Sequence, residues 1–281
     1  MEIQARAKIN WTLDVVGVRQ DGYHLLDSLM QPLALADDLT LLPSRELTLV
    51  IHGAPGLSPG EDNLILRAAR EMQKETGVKA GAAITLQKKI PLGAGLGGGS
   101  ADAAAALRGL NALWGTQLNL DQLCAIGEKI GADVPFCLHD APRRAQGIGE
   151  KLFPIACGRL FPLILVQPCA ALSTKEVFSA YHRFPDSPSA NTQGAMEALA
   201  AGDLAALAAH AGNALEAASI SLCPEIRDAK EALKASGAVL AQMTGSGSVV
   251  FGAYESRQAA QAAYPLLREK FAVCILTETA M

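Results

Sequence analysis

Five glycines fall within the seven positions Gly93-Ala94-Gly95-Leu96-Gly97-Gly98-Gly99, inside the longer run from Pro91-Leu92 to Ser100-Ala101-Asp102. A stretch so poor in side chains exposes consecutive backbone N–H groups. The Ala-rich segment that follows is expected to be helical from about Ser100. Its first turn would add unpaired N–H groups and the positive end of a helix dipole. Together these make an anion site suited to a triphosphate. The pattern G-x-x-x-x-G-K-[ST] is absent, which excludes a Walker-type loop. Gly93, Gly95 and Gly98 also fit a dinucleotide fingerprint, but Pro91-Leu92 separates them from the preceding strand. Asp121, the acid at about the right offset, reads as a helix cap rather than a ribose ligand. Asp102 is expected either to complement the helix dipole or to touch a magnesium ion arriving with ATP.

Other short segments carry polar groups suited to handling a hydroxyl. Lys8 and Asn10, in Arg6-Ala7-Lys8-Ile9-Asn10, are one residue apart, so in a strand both face the same way. Asp133, in Gly131-Ala132-Asp133-Val134-Pro135, is an acid among apolar neighbours just past a helix end. The ordinary use of such a residue is to cap a turn. Tyr23-His24 offers an aromatic face and a ring nitrogen, a combination that suits a nucleobase edge as well as a half-buried turn. Thr244-Gly245-Ser246-Gly247-Ser248 reads as a hairpin turn between two strands. His52, His139, His182 and His210 lack partner spacing and read as surface or turn residues.

The elements that must hold these groups alternate in type. Residues 5–16, 46–51, 83–90, 160–167, 239–243 and 249–254 have strand patterns, with a turn at 20–22 and Pro/Gly-containing loops at 53–60 and 184–193. Asp62 or Asn63 caps a helix whose apolar residues Leu64, Ile65, Ala68, Ala69 and Met72 keep helical spacing. Further helices are expected at about 100–114, 120–130, 192–201, 204–218 and 225–235. The interleaving implies a mixed architecture in two lobes, with Phe153-Pro154 as the hinge between 1–152 and 153–281.

In their order along the chain, A-K-x-N, G-L-G-G-G-S-A-D-A-A, G-A-D-V-P, G-I-G-E and T-G-S-G-S resemble the motifs of the GHMP kinase family over residues 5–252. The resemblance implies an α+β, two-lobed GHMP kinase fold with the substrate and ATP cleft between the lobes. ATP would be the co-substrate with Mg²⁺ as its counter-ion, and residues 1–152 would carry the glycine loop and the catalytic pair. Asp133 would receive the hydroxyl proton, with Lys8 as its charge partner and Asn10 orienting the alcohol. Pro91 to Ala101 would hold the phosphates, and Asn63, Leu64 and Ile65 the adenine. Asp21 to Leu26 and Glu61 to Ile65 point to members whose small-molecule substrate bears a cytidine diphosphate group. Such members phosphorylate a 2-hydroxyl of a methylerythritol unit in non-mevalonate isoprenoid biosynthesis. Tyr23, His24, Thr174 and Phe178 would line the cytidine end. A member acting on mevalonate, homoserine or a sugar is the alternative, and Tyr23, His24 and Phe178 are the discriminators. Arg6 stands where the family usually has Pro, which bears on local backbone rigidity.

Bulk properties narrow the classes further. A formal charge of −4 over 281 residues, with no Lys/Arg stripe, argues against nucleic acid held through phosphates. The longest apolar run, 160–166, is too short for a membrane span, and Glu2, Arg6 and Lys8 argue against a secretory signal. Six scattered cysteines without a C-x-x-C pair are expected to be free buried thiols in a reducing compartment. The expectation is a cytoplasmic protein, monomeric or weakly dimeric, with no nucleic-acid or membrane partner.

Overall fold

The structure is a computed structural model that describes residues 1–20, 22–184 and 189–281. Asp21, in the expected turn at 20–22, and 185–188, in the expected loop at 184–193, lie outside the described residues. Two long strands come first, β1 (Glu2–Val18) and β2 (His24–Ser44). They are followed by β3 (Leu47–His52), α1 (Leu64–Thr76), β4 (Gly81–Gln87), α2 (Gly98–Trp114), α3 (Leu120–Glu128) and α4 (Val134–His139). Strands β5 (Arg143–Gly147), β6 (Lys151–Pro154) and β7 (Pro162–Gln167) come next. Then follow α5 (Thr174–Tyr181), α6 (Thr192–Ala201), α7 (Leu204–His210), β8 (Gly212–Asn213), α8 (Glu216–Leu222) and α9 (Glu225–Ala235). The remaining elements are β9 (Leu240–Met243), β10 (Val250–Ala253), α10 (Arg257–Lys270) and β11 (Val273–Glu278). None of the described helices is long and apolar enough to cross a membrane.

Two compact units divide the chain, and both are discontinuous in sequence. The first gathers Met1–Ala7, Leu35–Ile90 and Gly97–Asp140; the second gathers Lys8–Ala34, Pro91–Leu96 and Ala141–Met281. The glycine run therefore leaves one unit and enters the other between Leu96 and Gly97.

In the first unit β3 runs parallel to β4, which pairs antiparallel with the second half of β2. Leu39, Leu41, Ile84 and Leu86 from this sheet are buried, as are Ile65, Met72, Leu107 and Leu110 from α1 and α2. The Asn63 side chain accepts from Ile65 N–H to start α1, and Gly77 in the left-handed region ends it. Alanines at 101 and 103–106 are all buried, so α2 can be enclosed on most sides without bulk. In the second unit an antiparallel sheet has the order β11-β7-β10-β9. Trp11 is fully buried there, edge-on to Phe161 at 5.7 Å and to Phe251 at 5.4 Å.

Several expectations need correction. The helix expected over 204–218 is two helices, α7 and α8, separated by β8. Its alanines favour a helix, but Gly212 pairs with Thr12, and the Asn213 side chain donates to the carbonyls of Met243 and Gly245, each at 2.9 Å. Long-range pairing overrides local propensity there. Phe153-Pro154 is not a hinge: both residues lie in β6, paired with Arg144 and Arg143. Cys169 and Cys223, 54 positions apart, form a disulfide rather than free thiols. Glu225 lies close to the two sulfurs, but these are bonded to each other, so the trio is not an open metal site.

Candidate active site

Within the second unit, three of the sequence motifs meet. Lys8 and Asn10 share a face of β1, as their spacing predicts, and Lys8 Nζ donates to Asn10 Oδ1 at 2.8 Å. Both are buried. The Asn10 amide is held from two further sides: its Nδ2 donates to Ser28 Oγ at 2.8 Å, and Oδ1 accepts from Thr244 Oγ1 at 3.2 Å. The first half of the glycine run lies against the same groups. Lys8 N–H donates to the Leu96 carbonyl at 2.9 Å, and Val249 N–H donates to that of Ala94 at 3.3 Å. Thr244 to Ser248 does join β9 to β10 as expected, and it also packs on the glycine run. A Cβ on Gly95 would sit 2.2 Å from the Thr244 carbonyl oxygen, and Gly95 has φ +76°. Only glycine fits that approach. Gly93, at φ +57°, is similarly closed, by the Ala171 side chain.

The aromatic group is also in the second unit. His24 stacks on Phe178 with centroids 4.6 Å apart and planes 29° from parallel. Burial, with the neighbouring His182 second, pulls the His24 imidazole below its ordinary value, which favours the neutral ring. Its Nε2 is buried with no hydrogen-bond partner among the described residues. Tyr23 is more than half exposed, with the Arg19 guanidinium 5.4 Å from its ring centroid. Thr174 begins α5, and its hydroxyl is 2.9 Å from Ser246 Oγ. Sequence reasoning missed Tyr181; His182 is an exposed turn residue as expected, and it joins the same group of rings. His182 lies 5.1 Å and Tyr181 6.1 Å from the His24 ring. The signal was helical spacing from Phe178, visible once α5 is known.

The first unit holds the other half of the glycine run. Helix α2 starts at Gly98, two residues earlier than expected, with Gly97 as its N-cap in the left-handed region and no side-chain cap. The N–H groups of Gly98, Gly99 and Ser100 thus begin a helix that no side chain closes, while Ala101 turns into the core. This cradle fits a phosphate chain, since bulk is missing where an anion would enter. The turn bearing Gly131 is close to it: a Cβ there would be 3.8 Å from Ser100 Oγ. Two residues on, Asp133 is half-buried and opens α4, yet its side chain makes no capping hydrogen bond. Asn63 uses its amide to cap α1 and to reach the Ser58 carbonyl at 2.8 Å. Leu64 packs toward Gly99, whereas the Ile65 side chain is fully buried, so only its backbone can meet a ligand. Arg6, in place of the family's usual Pro, lies within β1 and pairs with Asp140 at 3.4 Å.

Asp102 does not complement the helix dipole from the first turn, as one of its expected roles required. The earlier helix start places it fifth in α2, past the first turn, and its Oδ2 accepts from the buried Lys88 ammonium at 2.7 Å.

The family model described as the GHMP kinases N terminal domain matches residues 63–141, and that described as GHMP kinases C terminal matches 195–273. A protein of Pelotomaculum thermopropionicum named 4-diphosphocytidyl-2-C-methyl-D-erythritol kinase is 45% identical over 255 residues, covering 88% of this chain and 87% of the relative. A crystal structure of 4-(cytidine 5'-diphospho)-2C-methyl-D-erythritol kinase superposes with a TM-score of 0.85 at 35% identity, over 100% of both chains. Homoserine kinase from Cytophaga hutchinsonii shares the fold, with a TM-score of 0.75 at 21% identity over 100% of this chain and 95% of that one. With both halves of its glycine cradle and both domain models matched, the chain belongs to the GHMP kinase family.

Proposed function

We propose that this chain transfers the γ-phosphoryl group of ATP to the 2-hydroxyl of 4-diphosphocytidyl-2-C-methyl-D-erythritol, a step of non-mevalonate isoprenoid biosynthesis in the cytoplasm. One observation carries the choice of substrate: His24 stacked on Phe178 beside Tyr23, a set of rings that suits cytosine. Relatives bearing that substrate's name, at 45% identity, support the same reading.

The chemistry asked of the residues is modest. A loose phosphoryl-transfer transition state needs little prior deprotonation, so positioning and charge stabilisation dominate. In this reading Asp133 accepts the hydroxyl proton as the new O–P bond forms and the bond to the leaving ADP oxygen breaks. Lys8, held by Asn10, supplies positive charge toward the transferring group. Asn10 is itself fixed by Ser28 and Thr244, which keeps the Lys8–Asn10 pair in one geometry. Backbone N–H groups at the start of α2 receive the phosphates, and Asn63 to Ile65 border the adenine. Mg²⁺ accompanying ATP would neutralise charge on the β- and γ-phosphates.

The test is a coupled ADP-release assay with the cytidine substrate, run beside direct titration of MgATP. Asp133→Ala is expected to lower turnover by at least about a thousandfold while MgATP affinity stays within a few-fold. Turnover close to wild type would remove Asp133 as the base. A wild-type protein that phosphorylates mevalonate or homoserine and ignores the cytidine compound would overturn the substrate.

A further inference from the structure

Beneath the glycine cradle the first unit contains an ion triad to which the proposed chemistry assigns no task. Lys88 is almost fully buried and donates from Nζ to Asp37 Oδ2 at 2.5 Å and to Asp102 Oδ2 at 2.7 Å. Asp37 is itself fully buried, on β2, and its Oδ1 accepts from the backbone N–H groups of Lys89 and Ile90 at 2.5 and 2.8 Å. The three side chains come from three places: the middle of β2, the residue after β4, and the second turn of α2. Lys88 to Ile90 is the stretch of chain that feeds directly into Pro91 and the glycine run. Lys88 Nζ also lies 3.0 Å from where a Cβ on Gly98 would be, directly behind the first residue of α2.

Buried charges carry a large desolvation penalty, which pairing offsets only in good geometry. Apolar packing would serve a core just as well, so a buried triad calls for another reason to exist. Here each of its links ends on one shoulder of the same loop. Asp37 pins the incoming shoulder through two backbone N–H groups. Lys88 then ties that shoulder to Asp102 on the outgoing helix. The glycines between have no side chains to hold themselves in place, and several sit at positive φ, at 93, 95 and 97. A loop so free in the unfolded chain loses much entropy on ordering, so fixed ends matter more here than elsewhere.

We propose that Asp37, Lys88 and Asp102 are positioning residues for the nucleotide's phosphates. The Lys88–Asp102 hydrogen bond locks the start of α2 to the strand end that delivers the glycine loop, so that the backbone N–H groups are aligned before ATP arrives. This rests on the reading of the chain as an ATP-dependent kinase, and preorganisation of this kind acts on affinity rather than on the chemical step.

Two substitutions separate the hydrogen bond from mere bulk. Asp102→Ala removes the acceptor but leaves Lys88 paired with Asp37, so no charge is stranded. Asp102→Asn keeps an acceptor oxygen for Lys88 Nζ in the same place. MgATP binding is measured calorimetrically without the alcohol substrate, and steady-state constants are taken alongside. The alanine variant is expected to bind MgATP about tenfold more weakly. Its KM for ATP should rise in step, its kcat should change less than threefold, and the asparagine variant should restore wild-type affinity. If the alanine variant does not fold, Asp102→Val fills the volume without an acceptor and is expected to behave as described for alanine. Unchanged ATP affinity in the variant without an acceptor would overturn the proposal, as would an asparagine variant as weak as alanine. If wild-type protein takes up no MgATP at all, the kinase reading falls together with it.

Discussion

Single residues divide here into those whose side chains fix one another and those to which the proposed function gives a ligand. Asn10 is fully engaged, with Lys8, Ser28 and Thr244 on its amide. Its spacing to Lys8 was legible from β periodicity, but partners as far off as Thr244 were not. Phe178 is of the second kind in the proposed function. A base stacked on an aromatic ring is worth about 1–3 kcal/mol, or roughly tenfold to a hundredfold in binding. Phe178→Ala is therefore expected to raise KM for the cytidine substrate by about tenfold or more, with KM for ATP nearly unchanged. Steady-state kinetics with each substrate varied in turn checks this. A rise confined to ATP would place Phe178 elsewhere. Its stacking on His24 also gives the free protein a share of packing, so thermal stability should fall slightly.

At the scale of elements, the glycine run is several turns with different demands, and two glycines make the contrast measurable. Gly95 and Gly77 have nearly the same backbone, φ +76° and +73°, but a Cβ on Gly77 would meet nothing within 4 Å, while one on Gly95 would strike Thr244. Left-handed strain alone is worth about 1–2 kcal/mol for a residue with a Cβ. Gly77→Ala should therefore lose about that much stability and keep its activity. Gly95→Ala should lose more, and MgATP affinity should fall more than tenfold; chemical denaturation and calorimetry on both variants give the comparison. Equal effects at the two positions would mean that the contact with Thr244 is unimportant. The glycine density itself was legible, as were α1, with its cap narrowed to Asp62 or Asn63, and the hairpin at 244–248. Helix α4 was not, because six residues opening on Asp133 and Val134-Pro135 offer no periodicity to count. The break between α7 and α8 was hidden for the opposite reason: alanine spacing there is helical, and a strand partner at Thr12 decides otherwise.

On the scale of the whole molecule, the linear order of motifs conceals how the chain is partitioned. Reading along the sequence suggests a border at 152/153, yet each compact unit is assembled from three separate stretches, and β1 and β2 each contribute to both. Spacing can reveal which residues share a face, but not which distant segments share a core; Asp37, 51 residues from Lys88, shows the limit. The triad also leaves a mark on global stability. Burial first, opposed by the Lys88 charge and reinforced by Asp37, pushes the Asp102 carboxyl up to about 7. In the unfolded chain the same group titrates near 3.8. Between those two values the folded protein holds a proton that the unfolded chain has released, so stability falls as pH rises. The contribution is complete below about pH 4 and gone above about pH 7. Its size is on the order of a few kcal/mol, since each tenfold difference in proton affinity between the folded and unfolded chain corresponds to about 1.4 kcal/mol. Asp102→Asn has no proton to lose, and its oxygen still accepts from Lys88. The difference in stability between variant and wild type should therefore grow in favour of the variant from pH 5 to pH 8, and then level off. For a chain of this size that corresponds to a widening of several degrees in the thermal midpoint. Denaturation curves of the two proteins in matched buffers at pH 5, 6, 7 and 8 measure it, with the other titrating groups cancelling in the comparison. A difference that stayed flat across that range would mean that Asp102 is ionised throughout, with the Lys88 charge outweighing its burial.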